Sequence, residues 1–270
     1  MSENMGRVWS TSSADFGFGV DRLLKAAELE MKLKSYKRVV LKPNLIEASK
    51  PPITTPVELV EDVVCWLKEH CPYLEIIVAE GNGVPEYDTA HCFEQLGYNE
   101  LAEKYGLELV DLNKAEFRLL NNSQYQRLPD FELPEILFDS YLVSIPVLKA
   151  HSMSEVTLSM KNVVGCAPSG QGGGWRKAQL HRGLHEAIVD LNRYRSPDFS
   201  IIDASIGMAQ AHLWGPQCDP PVGKILASYD PVAIDSYGAK LLGKNWQDIG
   251  HIRQAHGLLG KAAPLVIEEV

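Results

Sequence analysis

Between Ser144 and His185 the chain reads SIPVLKAHSMSEVTLSMKNVVGCAPSGQGGGWRKAQLHRGLH, and side chains able to do chemistry crowd into it. Lys149, His151, Lys161, Asn162, Arg176, Lys177, His181 and His185 all fall here, around a glycine-rich loop. Gly165, Gly170, Gly172, Gly173 and Gly174 let backbone N–H groups approach a ligand closely, and cations follow at once. Backbone donors plus cations suit a phosphate or a carboxylate. The loop is neither a GxxxxGK[ST] phosphate loop nor a GxGxxG dinucleotide fingerprint. A loop of this composition also serves as a lid or a plain linker.

Lys149 and His151 stand just past an apolar run, where a lysine is costly to desolvate unless it meets an anion; otherwise both point into solvent. Lys161 and Asn162 fall near a predicted helix end, where a lysine also complements the helix dipole. Lys149 and Lys161 would repel if close, and a bound anion would relieve this. His181 and His185 are four apart on a predicted helix and so share a face. Metal binding there needs a third ligand, such as Asp203 or Cys166, and HExxH is absent. Acid–base work by His181 suits the pattern better, and no metal ligand is assigned. The expected ligand-binding set is Lys42, Asn44, Lys149, Lys161, Asn162, Gly172, Gly173 and Arg176. The expected proton-transfer set is His151 and His181, with Asp203 orienting one of them.

These residues need elements to hold them. Apolar residues at helical spacing predict a helix over 20–33. Thr55-Pro56-Val57-Glu58 reads as a capping box opening a helix to about Glu69, and Asp88-Thr89 starts another to about Tyr105. Ser152-Met153-Ser154-Glu155 reads as a second box, with a helix from Met153 to Val164 stopped by Gly165. Further helices are expected over 177–194, 231–242 and 246–256. Strands are expected over 38–41, 74–79, 107–110, 141–145, 199–202 and 222–228, with 117–120 and 126–131 as a small antiparallel pair. Strands alternating with helices imply an α/β fold, a mostly parallel sheet with helices on both faces in a Rossmann-like three-layer architecture. Lys42 and Asn44, Glu80 and Asn82, Lys149 and His151, and Asp203 each follow or end a strand. In such sheets ligands bind at the carboxyl ends of strands, so distant residues would meet at one edge.

The chain has 270 residues and a net charge of −9, and residues 1–270 are read as one α/β domain. Its basic residues are dispersed outside the central stretch, which argues against nucleic acid as a partner. No signal peptide and no run of about 18 apolar residues is visible, so a cytoplasmic protein without a membrane partner is expected. Five irregularly spaced cysteines without a CxxC pair read as reduced thiols.

Five motifs in order, VVLKPNL (39–45), TTPVELVEDVV (54–64), IPVLKAHSMSEVTLSMKNVVG (145–165), IIDASIGM (201–208) and ILASYDPVAIDSYGAKLLG (225–243), resemble the family of domain of unknown function 362. The resemblance spans about 38–260. Family members are often tied to iron–sulfur modules, and many carry a fused ferredoxin segment. The resemblance therefore implies an iron–sulfur cofactor or a ferredoxin-type partner as an alternative. This chain has no C-x2-C-x2-C-x3-C-P run to hold such a cluster itself. Three functions follow: an enzyme moving protons on a small anionic metabolite, an iron–sulfur or redox accessory protein working with a separate carrier, and a noncatalytic anion-binding module.

Overall fold

The computed structural model describes residues 4–169, 176–210 and 213–270. The chain opens with β1 (Arg7–Ser12), then α1 (Phe16–Ala26), whose N-cap Asp15 accepts the Phe18 N–H, and α2 (Leu29–Leu33). The helix expected over 20–33 is therefore two, because Glu28 takes a left-handed φ of 52° between them. Next come β2 (Arg38–Pro43), α3 (Val57–His70), β3 (Glu75–Glu80), α4 (Thr89–Gln95), α5 (Tyr98–Tyr105) and β4 (Glu108–Asp111). Gly97, at φ 82°, divides the helix expected over 89–105. A separate hairpin pairs β5 (Phe117–Asn121) with β6 (Asp130–Pro134), later in the chain than 126–131.

The second half holds β7 (Tyr141–Ile145), β8 (Val147–His151), β9 (Glu155–Thr157), α6 (Ser159–Asn162), a 3-10 turn (Val163–Cys166), α7 (Arg176–Gln179) and α8 (Leu184–Tyr194). It ends with β10 (Phe199–Met208), β11 (Lys224–Ser228), α9 (Pro231–Leu241), a 3-10 turn (Trp246–Asp248), α10 (Gly250–Ala255) and β12 (Val266–Glu269). Of the helix expected from Met153 to Val164 only the end forms, as α6 and the start of the 3-10 turn; the part before Ser159 does not. Residues 152–154 turn a hairpin in which Lys149 pairs with Thr157 and His151 with Glu155. Val156 and Leu158 alternate with polar neighbours and are fully buried, a period of two that the apparent capping box masks. Thr55 does not cap α3 either: the helix has no side-chain cap, and the Thr55 hydroxyl donates instead to the Ile145 carbonyl at 2.6 Å.

Among the described residues the strands make a ten-stranded sheet of order β12-β1-β11-β10-β7-β2-β3-β4, with β8 beside β10 and β9 beside β8. The block β10-β7-β2-β3-β4 is parallel throughout, and antiparallel pairs join β11 to β1 and β10. Parallel strands covered on both faces should be apolar at every position, and β2 shows why. Val39 and Leu41 join one core with α1 to α5, whereas Val40 joins the other with α6, α8, α9 and α10. The chain passes from β2 to β3 to β4 on one side and returns with β7 on the other side of β2. That reversal opens a crevice between the carboxyl ends of β2 and β7, the usual place for a ligand in such sheets.

Candidate active site at the carboxyl edge of the sheet

Lys42 ends β2 and is 1% exposed. Its Nζ donates to Glu80 Oε1 at 2.7 Å, Asn162 Oδ1 at 3.0 Å and the Pro43 carbonyl at 3.1 Å. Glu80, at the end of β3, also accepts the N–H groups of Gly81 and Leu45. Asn162 spans the crevice: its Nδ2 donates to the Lys42 carbonyl and to Ser144 Oγ on β7. Thr55 makes a second bridge, accepting the Asn44 N–H while it donates to Ile145. Gly165 must lack a side chain, because a Cβ there would lie 2.5 Å from Glu80 Oε1 and 2.7 Å from Lys42 Nζ.

The residues after these strands line a cavity of about 270 Å³. Asn44, Glu47, His151, Lys161, Lys177 and His181 supply its polar wall, and Ile46, Val84, Met153 and Val164 an apolar one. Two groups in this wall make no hydrogen bond among the described residues. Lys161 is 8% exposed, and its ammonium has no hydrogen bond or ion pair among the described residues. Burial, and then the Lys42 charge, lower its pKa to about 8. Asn44 Oδ1 is buried without a donor.

The other lysines differ. Lys177 Nζ donates to the carbonyls of Gly81, Asn82 and Gly165, and burial brings it to about 8. Lys149 is buried beside the site and donates to the Ile53 carbonyl at 2.6 Å. Burial, and then Lys161, lower it to about 7, while Glu47 and Glu80 oppose the shift. It does not itself line the cavity.

His151 Nδ1 accepts the N–H groups of Met153 and Ser154 at 3.1 and 3.3 Å. An Nδ1 used as acceptor puts the proton of the neutral ring on Nε2. His181 lies in the exposed turn after α7, and burial and Lys161 lower its pKa. Gly183, at φ 73°, breaks the helix expected over 177–194, so His181 and His185 do not share a helix face. His185 packs elsewhere, its Nδ1 3.1 Å from His251 Nδ1 and its Nε2 3.1 Å from Glu155.

The structure thus brings together Lys42, Asn44, Lys161, Asn162, His151 and His181, with Lys149 close enough to feel the Lys161 charge. Asp203 stays apart: it pairs in register with Val147, accepts the Ser205 N–H, and has no hydrogen bond to either histidine. Burial raises its pKa. Gly172 and Gly173 lie outside the described residues, and Arg176 opens α7.

Sequence reasoning assigned no role to Asp235, whose carboxylate accepts the Ser159 and Met160 N–H groups at 2.7 and 3.0 Å. It anchors the turn that aims Lys161 and Asn162, and burial pushes it up to about 8. A lone aspartate inside the otherwise apolar run of α9 was the available signal. Glu80 and Lys42 were both visible as strand-end residues, but their pairing was not. Among the described residues no group of three or more histidine, cysteine, aspartate or glutamate side chains could hold a metal. Burial pushes the Cys92 thiol up to about 12 and Cys166 up to about 11. Among the described residues the donors therefore do not gather into a set that fits a resident iron–sulfur cluster.

Fold and cavity together define an α/β protein with a ligand-sized, lysine-walled crevice at the switch point of its sheet. Residues 39–240 match domain of unknown function 362, and the chain belongs to that family. It is 26% identical over 219 residues to the thylakoid-associated protein sll1697 of Synechocystis sp., covering 75% of this chain and 62% of that protein. The chain therefore spans less than two thirds of this relative. The lactate racemase apoprotein of Thermoanaerobacterium thermosaccharolyticum shares the fold, with a TM-score of 0.54 and 12% identity over 89% of this chain and 57% of that one. No helix among the described residues is long and apolar enough to cross a membrane.

Proposed function

We propose that the protein is an enzyme that binds a small carboxylate or phosphate metabolite in this cavity and moves protons on it. The unpartnered Lys161 carries the reading. A largely buried ammonium that finds no acceptor among the described residues is costly, and an anion from solution would satisfy it. Lys42, Lys149 and Lys177 add positive potential around Glu47 and Glu80, and Asn44 Oδ1 awaits a donor from the ligand. His151, with its proton on Nε2, suits a general acid. His181, with its lowered pKa, is neutral at pH 7 and suits a general base. An acid and a base on one cavity suit isomerisation or a related proton transfer. The lactate racemase that shares the fold acts, by its name, on a small carboxylate, which supports the ligand class and nothing finer. The reading treats the chain as one α/β domain, since one sheet recruits strands from Arg7 to Glu269. It also treats it as a cytoplasmic protein with free thiols.

The test is a thermal-shift and calorimetric screen of small carboxylates and phosphates. A hit should bind Lys161→Met at least tenfold more weakly while that variant keeps its melting transition. Unchanged affinity would remove the anion site. Solvent deuterium entering the bound compound, and lost in His181→Ala, separates an enzyme from a binding module.

A further inference from the structure

Lys161 is built differently from its neighbours. Lys42 donates to Glu80, and Asn162 and Pro43 complete its donors. Lys177 spends its donors on three carbonyls. Lys161 has the fixed charge of Lys42 nearby, lines a partly apolar cavity, and makes no bond among the described residues. A desolvated amine beside another cation is the arrangement that frees a lysine lone pair for attack on carbon.

We infer that Lys161 is a nucleophilic amine that condenses with the carbonyl carbon of a small 2-oxo acid. The inference rests on the anion-binding reading and names a substrate class for it. The amine lone pair attacks the carbonyl carbon; a C–N bond forms and the C–O π bond opens. The oxygen takes one proton from His151 Nε2 and a second from the nitrogen, the nitrogen's remaining amine proton restores His151, and water leaves. The net change is amine plus ketone to imine plus water, with no oxidant or reductant. The protonated imine then acidifies the neighbouring C–H, which His181 can deprotonate. The carboxylate of the oxo acid lies in the field of Lys42, Lys149 and Lys177. With Lys161 near 8, about a tenth of it is neutral at pH 7, hundreds of times more than for an ordinary lysine.

The experiment incubates the wild-type chain with pyruvate and sodium cyanoborohydride and maps the reduced adduct by peptide mass spectrometry. A thermal shift with pyruvate is measured alongside, without reductant. The expected result is modification of Lys161 at least tenfold faster than of the exposed Lys68, and loss of that adduct in Lys161→Arg. A pyruvate shift that Lys161→Met abolishes, with no preferential adduct, overturns the imine and leaves anion binding standing. No shift and no adduct overturn both. Mapping on the wild-type chain keeps the test independent of whether a variant folds.

Discussion

Two buried polar clusters lie in different parts of this sheet, and they are finished differently. At the β1 side, Asp230 accepts four backbone N–H groups, those of Val232 and Ala233 in its own helix and those of Gly6 and Lys261 from the chain ends. Every bond there is made, and the result ties the N-terminal strand, α9 and the segment before β12 together. At the crevice between β2 and β7 the same kind of burial leaves Lys161 without a partner among the described residues and Asn44 Oδ1 without a donor. Buried polar groups are normally satisfied. A completed cluster such as that at Asp230 suits structure; at the crevice, where the unsatisfied groups line a cavity, the proposed reading has a ligand supply the rest.

The largest test of this contrast is Asp230→Ala. It orphans four N–H groups and removes the cap of α9, so stability should fall by about 5 kcal/mol in urea denaturation. A loss below about 1 kcal/mol would mean that the cluster is ornamental. Next comes Lys42→Met. This strands the Glu80 carboxylate in a buried site, and a broken buried pair costs about 3 kcal/mol or more. The crevice thus contains a structural pair as well as an unmade one, and Lys42→Met should lower the melting temperature where Lys161→Met does not.

Much of this was legible from residue order alone. The parallel block and the carboxyl-edge position of Lys42, Asn44, Lys149 and His151 follow from strands ending in polar residues. Lys161, Asn162 and His181, by contrast, were expected on helices and reach the same crevice from α6 and the turn after α7. What was not legible came from backbone that departs from simple periods. Glu155, at φ 60°, and the alternation of Val156 and Leu158 turn an apparent helix start into a hairpin. Gly183 separates His181 from His185, though both would share a face on a continuous helix. β1 and β12 were missed because a strand at or near a sheet edge needs little apolar sequence, as the mostly exposed VIEE of β12 shows. Asp203 met the strand-end rule but continues into a longer β10, whose Ser205 N–H already occupies it.

The smallest effect is the most diagnostic, because its sign is reversed. Lys161→Met removes an unpartnered amine and keeps a long side chain, so at pH 7 the variant should equal the wild type or exceed it by about 1 kcal/mol. The advantage depends on pH. In the unfolded chain this amine holds its proton to roughly 10.5, and in the fold it lets go near 8. The unfolded state therefore binds more protons between those values, and this contribution to stability rises with pH through the window. Denaturation curves of the two proteins should converge by about pH 10. A carboxylate ligand pulls the other way: it favours the protonated amine, so its affinity should be full below about 8 and decline above. Adding ligand should then flatten the rise in wild-type stability and leave Lys161→Met unchanged. A gap that stays constant from pH 7 to 10, with ligand or without, would show that Lys161 does not titrate against the cavity, and the contrast between the finished and unfinished clusters would lose its chemical meaning.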